Sequence, residues 1–283
     1  MLYLLLNIVF ASTFTLCIKW VQVREREDIL IVGAINYLVA AALILPVYVN
    51  DKPPEVDAVA IATGLTMGAC YFIAFFALIH TVRWIGAAAS TVIGALSIMV
   101  PIAAGIFVWN EQPNGFQVVG ITMAFLAMTL IGRSRHGDPV QIRPWFAPLI
   151  MVSFFLLAGL NRLSHEAFKH LSQPDQRPTF LLAAFLTTAV PSLALLVARR
   201  RRLSSGEILI GTTMGLANIL QSHAMLKSLE NLDGFVVFPV ASAGGLMLTT
   251  VVATKMLAER LNRQTQAGIA IAVLALVLLN WLP

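Results

Sequence analysis

Apolar residues run through this chain in long blocks, and polar residues are gathered into the short breaks between them. The breaks read Arg24-Glu25-Arg26-Glu27-Asp28, Asn50 to Glu55, Asn110 to Asn114, Arg133 to Pro144 and Arg199 to Arg202. A helix that crosses a bilayer needs about 20 mostly apolar residues. That length fits ten spans: 2–22, 29–49, 58–80, 85–109, 115–132, 145–168, 179–198, 206–228, 233–257 and 264–282. The blocks are about twice as long as a membrane strand and do not alternate polar with apolar positions, so helices are expected and a barrel is not. The first block lacks a basic leader and a small-residue cleavage pattern, so it is expected to be the first helix rather than a cleaved signal peptide.

Composition says why the blocks cannot fold as a soluble core. Of 283 residues, 58% are hydrophobic and 12% charged, with a mean hydropathy of +0.83. Soluble domains carry roughly 45–50% apolar and about 25% charged residues. The chain is therefore expected to be an all-α integral membrane protein, multi-pass, in the cytoplasmic (inner) cell membrane.

The formal charge of +5 would elsewhere suggest nucleic-acid binding. Here it is unevenly distributed along the breaks. The loops after helices 1, 3, 5, 7 and 9 hold most of the basic residues, including Arg24, Arg83, Arg133, Arg199 to Arg202 and Arg263. The loops after helices 2, 4, 6 and 8 hold Lys52, Lys169, Arg177 and Lys227 alone. The positive-inside rule then places the odd loops in the cytoplasm and both termini outside. Arg199 to Arg202 reads as a topology signal facing anionic lipid, and no nucleic-acid partner is expected. Cys17 and Cys70 both fall inside apolar blocks without metal-ligand spacing, so neither a disulfide nor a metal is expected, and no cofactor is implied.

The two halves of the chain repeat one another. Gly64-Leu65-Thr66-Met67-Gly68 recurs as Gly211-Thr212-Thr213-Met214-Gly215, an offset of 147, and Ala77 matches Ala224. After a one-residue slip, Glu111 falls on Glu259 and Gly120, Ala124 and Ala127 fall on Gly268, Ala272 and Ala275. The organisation expected is a five-helix repeat over 1–132, a linker over 133–144 and a second five-helix repeat over 145–283. Five is odd, so the second copy enters the membrane the opposite way. Inverted repeats of this kind build transporters that open to alternate sides.

Ala77-Leu78, Gly86-Ala87-Ala88-Ala89-Ser90, Pro101, Glu111 and Gly120 resemble the EamA-type pattern of the drug/metabolite transporter superfamily. In that pattern an Ala-Leu closes the third helix, small residues open the fourth, a Pro lies within it, a Glu ends it and a Gly sits in the fifth. The second half matches at Ala224, Gly234, Glu259 and Gly268 but has Thr249 where the proline would repeat. The resemblance covers essentially the whole chain. It implies ten helices, with 1–4 and 6–9 around a central cavity and 5 and 10 peripheral. It also implies transport of small metabolites or drugs, often outward. Many members of the family have cytoplasmic termini, whereas the charge distribution here places them outside.

Ionisable and amide side chains inside a bilayer are costly and mark candidate chemistry. Helix 6 carries Asn161, Arg162, Ser164, His165 and Glu166. Arg162 stands one turn from Glu166, so it either pairs with that carboxylate or faces the cavity and takes an anionic group. Helix 8 carries Asn218, Gln221 and Ser222 on one stripe, either as substrate contacts or as helix–helix hydrogen bonds. Tyr71, which aligns with Asn218, is expected at the cavity, as are Asn7 on helix 1 and Tyr37 beside Asn36 on helix 2. His223 and His165 are candidate proton carriers. Pro46, Pro101, Pro191 and Pro239 are candidate hinges. Glu111 and Glu259, just past the fourth helix of each repeat, read as gates or as end caps.

No HExxH, GxSxG or membrane Asp pair is present and no nucleotide-binding motif is found, so an enzyme is not expected. The expectation is a secondary transporter of a small organic metabolite, carboxylate-bearing or amphipathic, working as an exporter. A lipid or lipid-linked flippase of the same fold is the alternative. The partners expected are a small-molecule substrate, membrane lipids and a second copy meeting through the peripheral helices.

Overall fold

The computed structural model describes residues 1–24, 27–51, 55–85, 93–133, 146–200, 202–257 and 263–279. Among these residues there is no strand, and ten helices form: α1 Leu2–Arg24, α2 Ile29–Asn50, α3 Ala58–Ile85, α4 Met99–Phe107, α5 Gly115–Arg133, α6 Phe146–Leu171, α7 Arg177–Arg199, α8 Ser205–Leu229, α9 Gly234–Leu257 and α10 Arg263–Leu279. Nine of the ten expected segments coincide closely with a helix. The fourth is shorter. Residues 93–96 are helical, a turn occupies 97–98, and α4 follows, while the small-residue stretch at 86–92 lies outside the described residues.

Local chemistry sets the starts. Asp28 and Asp57 each accept a backbone N–H two residues on, Leu30 at 2.9 Å and Val59 at 2.8 Å, and so open α2 and α3. Ser204 and Glu207 form a reciprocal capping box at α8. Asn114 and Gln117 exchange side-chain-to-backbone bonds of 2.9 Å at the start of α5. Arg200, with φ 46°, ends α7 in the left-handed region.

Four helices are long and apolar enough to cross a membrane by length and composition: Leu2–Val21, Ile29–Asn50, Ala58–Leu78 and Pro174–Arg199. α6 and α8 are as long, and each combines an apolar run with several polar side chains. The chain is a multi-pass membrane protein.

The chain packs as two compact units. Unit 1 comprises Met1–Ala69 and Ala167–Glu230, and unit 2 comprises Cys70–Glu166 and Asn231–Pro283. Each draws on both sequence halves, so packing units and sequence repeats are different partitions of the same chain.

Unit 1 is held by two glycine seams. A Cβ on Gly64 would stand 2.5 Å from the Phe180 carbonyl oxygen and 2.8 Å from Ala183 Cβ, and one on Gly68 would stand 2.7 Å from Thr187 Cβ. α3 therefore lies directly on α7. A Cβ on Gly211 would stand 2.7 Å from Ile35 Cβ, and one on Gly215 would stand 2.8 Å from the Asn36 carbonyl oxygen and from Val39 Cβ. α8 lies on α2 in the same way. The glycines of the two seams are 147 positions apart, and their partners (Ile35 and Ala183, Val39 and Thr187) are 148 apart. Where lipid removes the hydrophobic drive between helices, such close backbone approach is what holds them together. Tyr37, Phe180 and Phe185 are almost wholly buried in this unit.

The ends of unit 1 sort by loop parity. At one end Asp28 N donates to Glu207 Oε1 at 3.1 Å, and Arg199 lies 3.6 Å from Asp28 Oδ2. At the other, Asp57 N donates to Gln176 Oε1 at 3.1 Å, Gln176 Nε2 donates to the Glu55 carbonyl at 2.8 Å, Ser172 donates to Asp57, and Arg177 pairs with Glu230. Loops after helices 1 and 7 meet at one end, and loops after 2, 6 and 8 at the other.

In unit 2, α5 packs along α10, and α9 packs against α10, α5 and α4. Ala124 and Ala127 on α5 and Ala275 on α10 are fully buried, so small side chains again permit the approach.

Candidate functional site

Several polar residues of unit 1 are tied to one another, with Asn36 Nδ2 buried at the end of the run without a hydrogen bond among the described residues. Gln221 Nε2 donates to Asn218 Oδ1 at 3.2 Å, and Asn218 Nδ2 donates to Asn36 Oδ1 at 3.0 Å. Asn7 Nδ2 donates to the Gln221 carbonyl oxygen at 2.8 Å. A directional run of amides thus ties α1, α2 and α8 together. Asn36 and Asn218 are fully buried, Asn7, Tyr37 and Ser222 nearly so, and Gln221 is half-buried. Of the expected cavity residues in this unit, the structure brings Asn7, Gln221 and Asn218 into one network that ends on Asn36. His223, one position beyond Ser222, points to the exposed face of α8.

Unit 2 disposes of its polar groups differently, beginning with a proline. Pro101 has no N–H, so the carbonyl four residues earlier, that of Ser97, loses its helical partner. Val100 N takes that carbonyl instead at 3.2 Å, and Ile98 N bonds Ala95 O at 3.3 Å. The helix is interrupted at 97–98 for this reason. Of the four hinge candidates, Pro101 stands at an interruption, whereas Pro46, Pro191 and Pro239 lie inside the continuous helices α2, α7 and α9.

α6 meets that turn through Gly159. A Cβ there would stand 2.5 Å from Val100 Cγ2 and 3.1 Å from the Ser97 carbonyl oxygen. Three residues further along α6, Arg162 Nη1 donates to Ser97 Oγ and, at 3.2 Å, to the Ala158 carbonyl oxygen. Tyr71 on α3 stands within electrostatic range of the guanidinium. Arg162 has no carboxylate partner among the described residues.

The local ion pair between Arg162 and Glu166 is therefore not formed, contrary to one of the two readings of the sequence. Each side chain has a better-placed partner. Arg162 finds the turn that Gly159 admits. Glu166 lies over Gly234 at the start of α9, where a Cβ would stand 2.5 Å from its Oε2. The glycine leaves room for the carboxylate, and a helix N-terminus favours negative charge.

His165 is buried, with Nδ1 3.2 Å from the Asn161 carbonyl oxygen, and Asn161 is half-buried. Glu111 lies against Gly105 and accepts from Gly234 N at 3.4 Å, which is an end-capping contact to α9. Glu259 lies outside the described residues. An open depression of about 410 Å³ at the end of α4, lined by Ile106, Asn110, Glu111, Gln112 and Pro113, contains none of the expected substrate residues.

Sequence reasoning passed over Ser97 and Gly159. Ser97 could have been found from Pro101, because the carbonyl four residues before a proline is the one set free. Gly159 carries no such signal, since its meaning depends on what packs against it.

Residues 1–133 match the model of the EamA-like transporter family, in agreement with the resemblance read from Ala77-Leu78, Pro101, Glu111 and Gly120. A protein of Haemophilus influenzae described as uncharacterized is 21% identical over 293 residues, covering 98% of each chain. The crystal structure of another protein superposes with a TM-score of 0.77 at 13% identity, covering 99% of this chain and 95% of the other. At that identity the likeness establishes the fold alone.

Proposed function

The chain carries the EamA-like transporter pattern over its first 133 residues, the mark of a membrane transporter of small solutes, and from that premise we propose that it moves a carboxylate-bearing organic metabolite. The observation that carries this reading is Arg162. A guanidinium set deep in an apolar helix is expensive to bury, and this one is met by a hydroxyl and a carbonyl rather than by a carboxylate. An anionic solute supplies the missing charge, with Tyr71 and the half-buried Asn161 beside it.

The mechanism we assign is alternating access by two inverted five-helix repeats, working as a secondary exporter in the cytoplasmic membrane. The paired glycine seams support a duplicated chain, since both the glycines and their partners recur at nearly one offset. The parity of the loops at the two ends of unit 1 supports ten spans. The turn before Pro101 is the hinge we favour. Of the two candidate proton carriers, the exposed His223 is better placed to exchange a proton than the buried His165.

Counterflow in proteoliposomes, with a panel of amino acids, organic acids and amines, tests the reading. Carboxylates are expected to exchange, amines are not, and Arg162→Ala is expected to abolish exchange. Exchange of no solute, or equal exchange in the variant, would overturn the reading. Movement of a labelled anionic phospholipid without solute exchange would replace it with a flippase. For orientation, a cysteine introduced at Arg202 is expected to be labelled only from the cytoplasmic side.

A further inference from the structure

Resting on the assignment of Arg162 to an anionic solute, we propose that Ser97 is a positioning residue that turns one edge of the Arg162 guanidinium, Nε with Nη2, toward the substrate. That edge selects an oxyanion presenting two oxygens side by side.

The argument is an inventory of hydrogen atoms. A guanidinium has five N–H donors: two on Nη1, two on Nη2 and one on Nε. Nη1 bonds Ser97 Oγ and the Ala158 carbonyl oxygen, so both of its hydrogens are committed. Nη2 and Nε have no partner among the described residues, and Arg162 remains half-buried rather than sealed. Two parallel N–H groups on one edge match the two oxygens of a carboxylate or of a phosphoryl group, the bidentate geometry that distinguishes arginine from lysine.

Ser97 can only accept from the guanidinium. Its single hydroxyl hydrogen is given to the Gly94 carbonyl oxygen at 2.7 Å, and the residue is fully buried. The hydroxyl oxygen is therefore aimed at Nη1 and is not a second donor to the substrate. Its place is fixed from two sides. Pro101 breaks the helix at 97–98, and Gly159 lets α6 approach the break. Ser97 acts through Arg162 and does not touch the anion.

Anion binding to the purified full-length protein tests this, followed by thermal shift with sodium acetate, inorganic phosphate and sodium chloride. Wild type is expected to bind acetate or phosphate well ahead of chloride, and whichever of the two leads identifies the carboxylate or the phosphoryl as the ligand chemistry. Arg162→Lys is expected to keep chloride binding and lose that preference. Ser97→Ala is expected to weaken acetate or phosphate binding about tenfold, roughly one charge-assisted hydrogen bond, with chloride unchanged. Ser97→Thr, which keeps the hydroxyl, is expected to restore it. If Ser97→Ala unfolds, the comparison of Ser97→Thr with Ser97→Cys gives the same reading.

A wild-type preference in Ser97→Ala, together with loss of binding in Arg162→Gln, would overturn the positioning role and leave the anion site standing. Undiminished binding in Arg162→Gln would overturn the anion site itself, and the positioning role with it.

Discussion

Asn218 in unit 1 and Arg162 in unit 2 are both polar side chains set deep in apolar helices, and in the sequence each stands in a polar cluster of the same kind. Asn218 receives a bond from Gln221 on its own helix and gives one to Asn36 on α2, so that its polarity is taken up by neighbouring amides. Arg162 receives only neutral acceptors on one corner of its guanidinium. The difference lies in what each partner helix offers. α2 presents an amide opposite an amide. The turn at 97–98 presents a hydroxyl and can offer no charge. A polar residue at membrane depth is thus evidence of function only after its neighbours have been counted, because amides can satisfy one another and a lone cation cannot.

The largest expected effect is on transport. Arg162→Ala is expected to lower carboxylate counterflow at least about 100-fold, the loss of a buried charge-assisted pair, while the protein still elutes as a folded species from size exclusion. Retained transport would erase the contrast between the units.

Next is the glycine seam. Gly68→Val forces a side chain into α7 beside Thr187 and is expected to destabilise unit 1 by about 3 kcal/mol, at the upper end of overpacking effects. Gly115, which has nothing within 4 Å of a Cβ, is the control, and Gly115→Ala is expected to leave the melting temperature within a degree or two. Equal effects of the two substitutions would contradict the seam.

Asn218→Ala breaks the amide run and is expected to cost about 1 kcal/mol of stability, in the range measured for interhelical hydrogen bonds in membranes. Transport is expected to fall by less than threefold. A loss as deep as that of Arg162→Ala would move Asn218 from frame to substrate contact.

The repeat signal in the sequence led directly to packing. Gly64-x-x-x-Gly68 and Gly211-x-x-x-Gly215 were legible as a duplication, and the structure shows each pair lodged on a helix of the other half. Helix limits were legible from the polar breaks, whereas the caps at Asp28, Asp57 and Ser204 that fix the starts are seen in the structure. The Arg162 environment was legible only in part. Spacing alone suggested Glu166 as its partner, since one turn separates them, but helical spacing says nothing of Gly159 or Gly234. Those glycines act through residues distant in the chain.

The smallest expected effect is a pH dependence at the end of unit 1. The Ser172 hydroxyl, then the Val59 N–H, hold the Asp57 carboxyl below its ordinary value of 3.8. A depressed carboxylate stabilises the fold above its unfolded value, and that contribution is lost as pH falls through the folded one. Stability conferred by Asp57 is therefore expected to be complete above about pH 4 and to decline below it. Asp57→Asn should flatten that acid limb in a thermal melt, and an unchanged limb would remove Asp57 from the account.

The most direct measurement of the central claim is counterflow of one solute in two forms, an amino acid and its methyl ester, by wild type and Arg162→Gln. Wild type is expected to exchange the free acid at least tenfold faster than the ester (about 1.4 kcal/mol), and the variant is expected to treat the two alike. A wild type indifferent to the carboxylate, or a variant that keeps the preference, would contradict the assignment of Arg162 to the substrate.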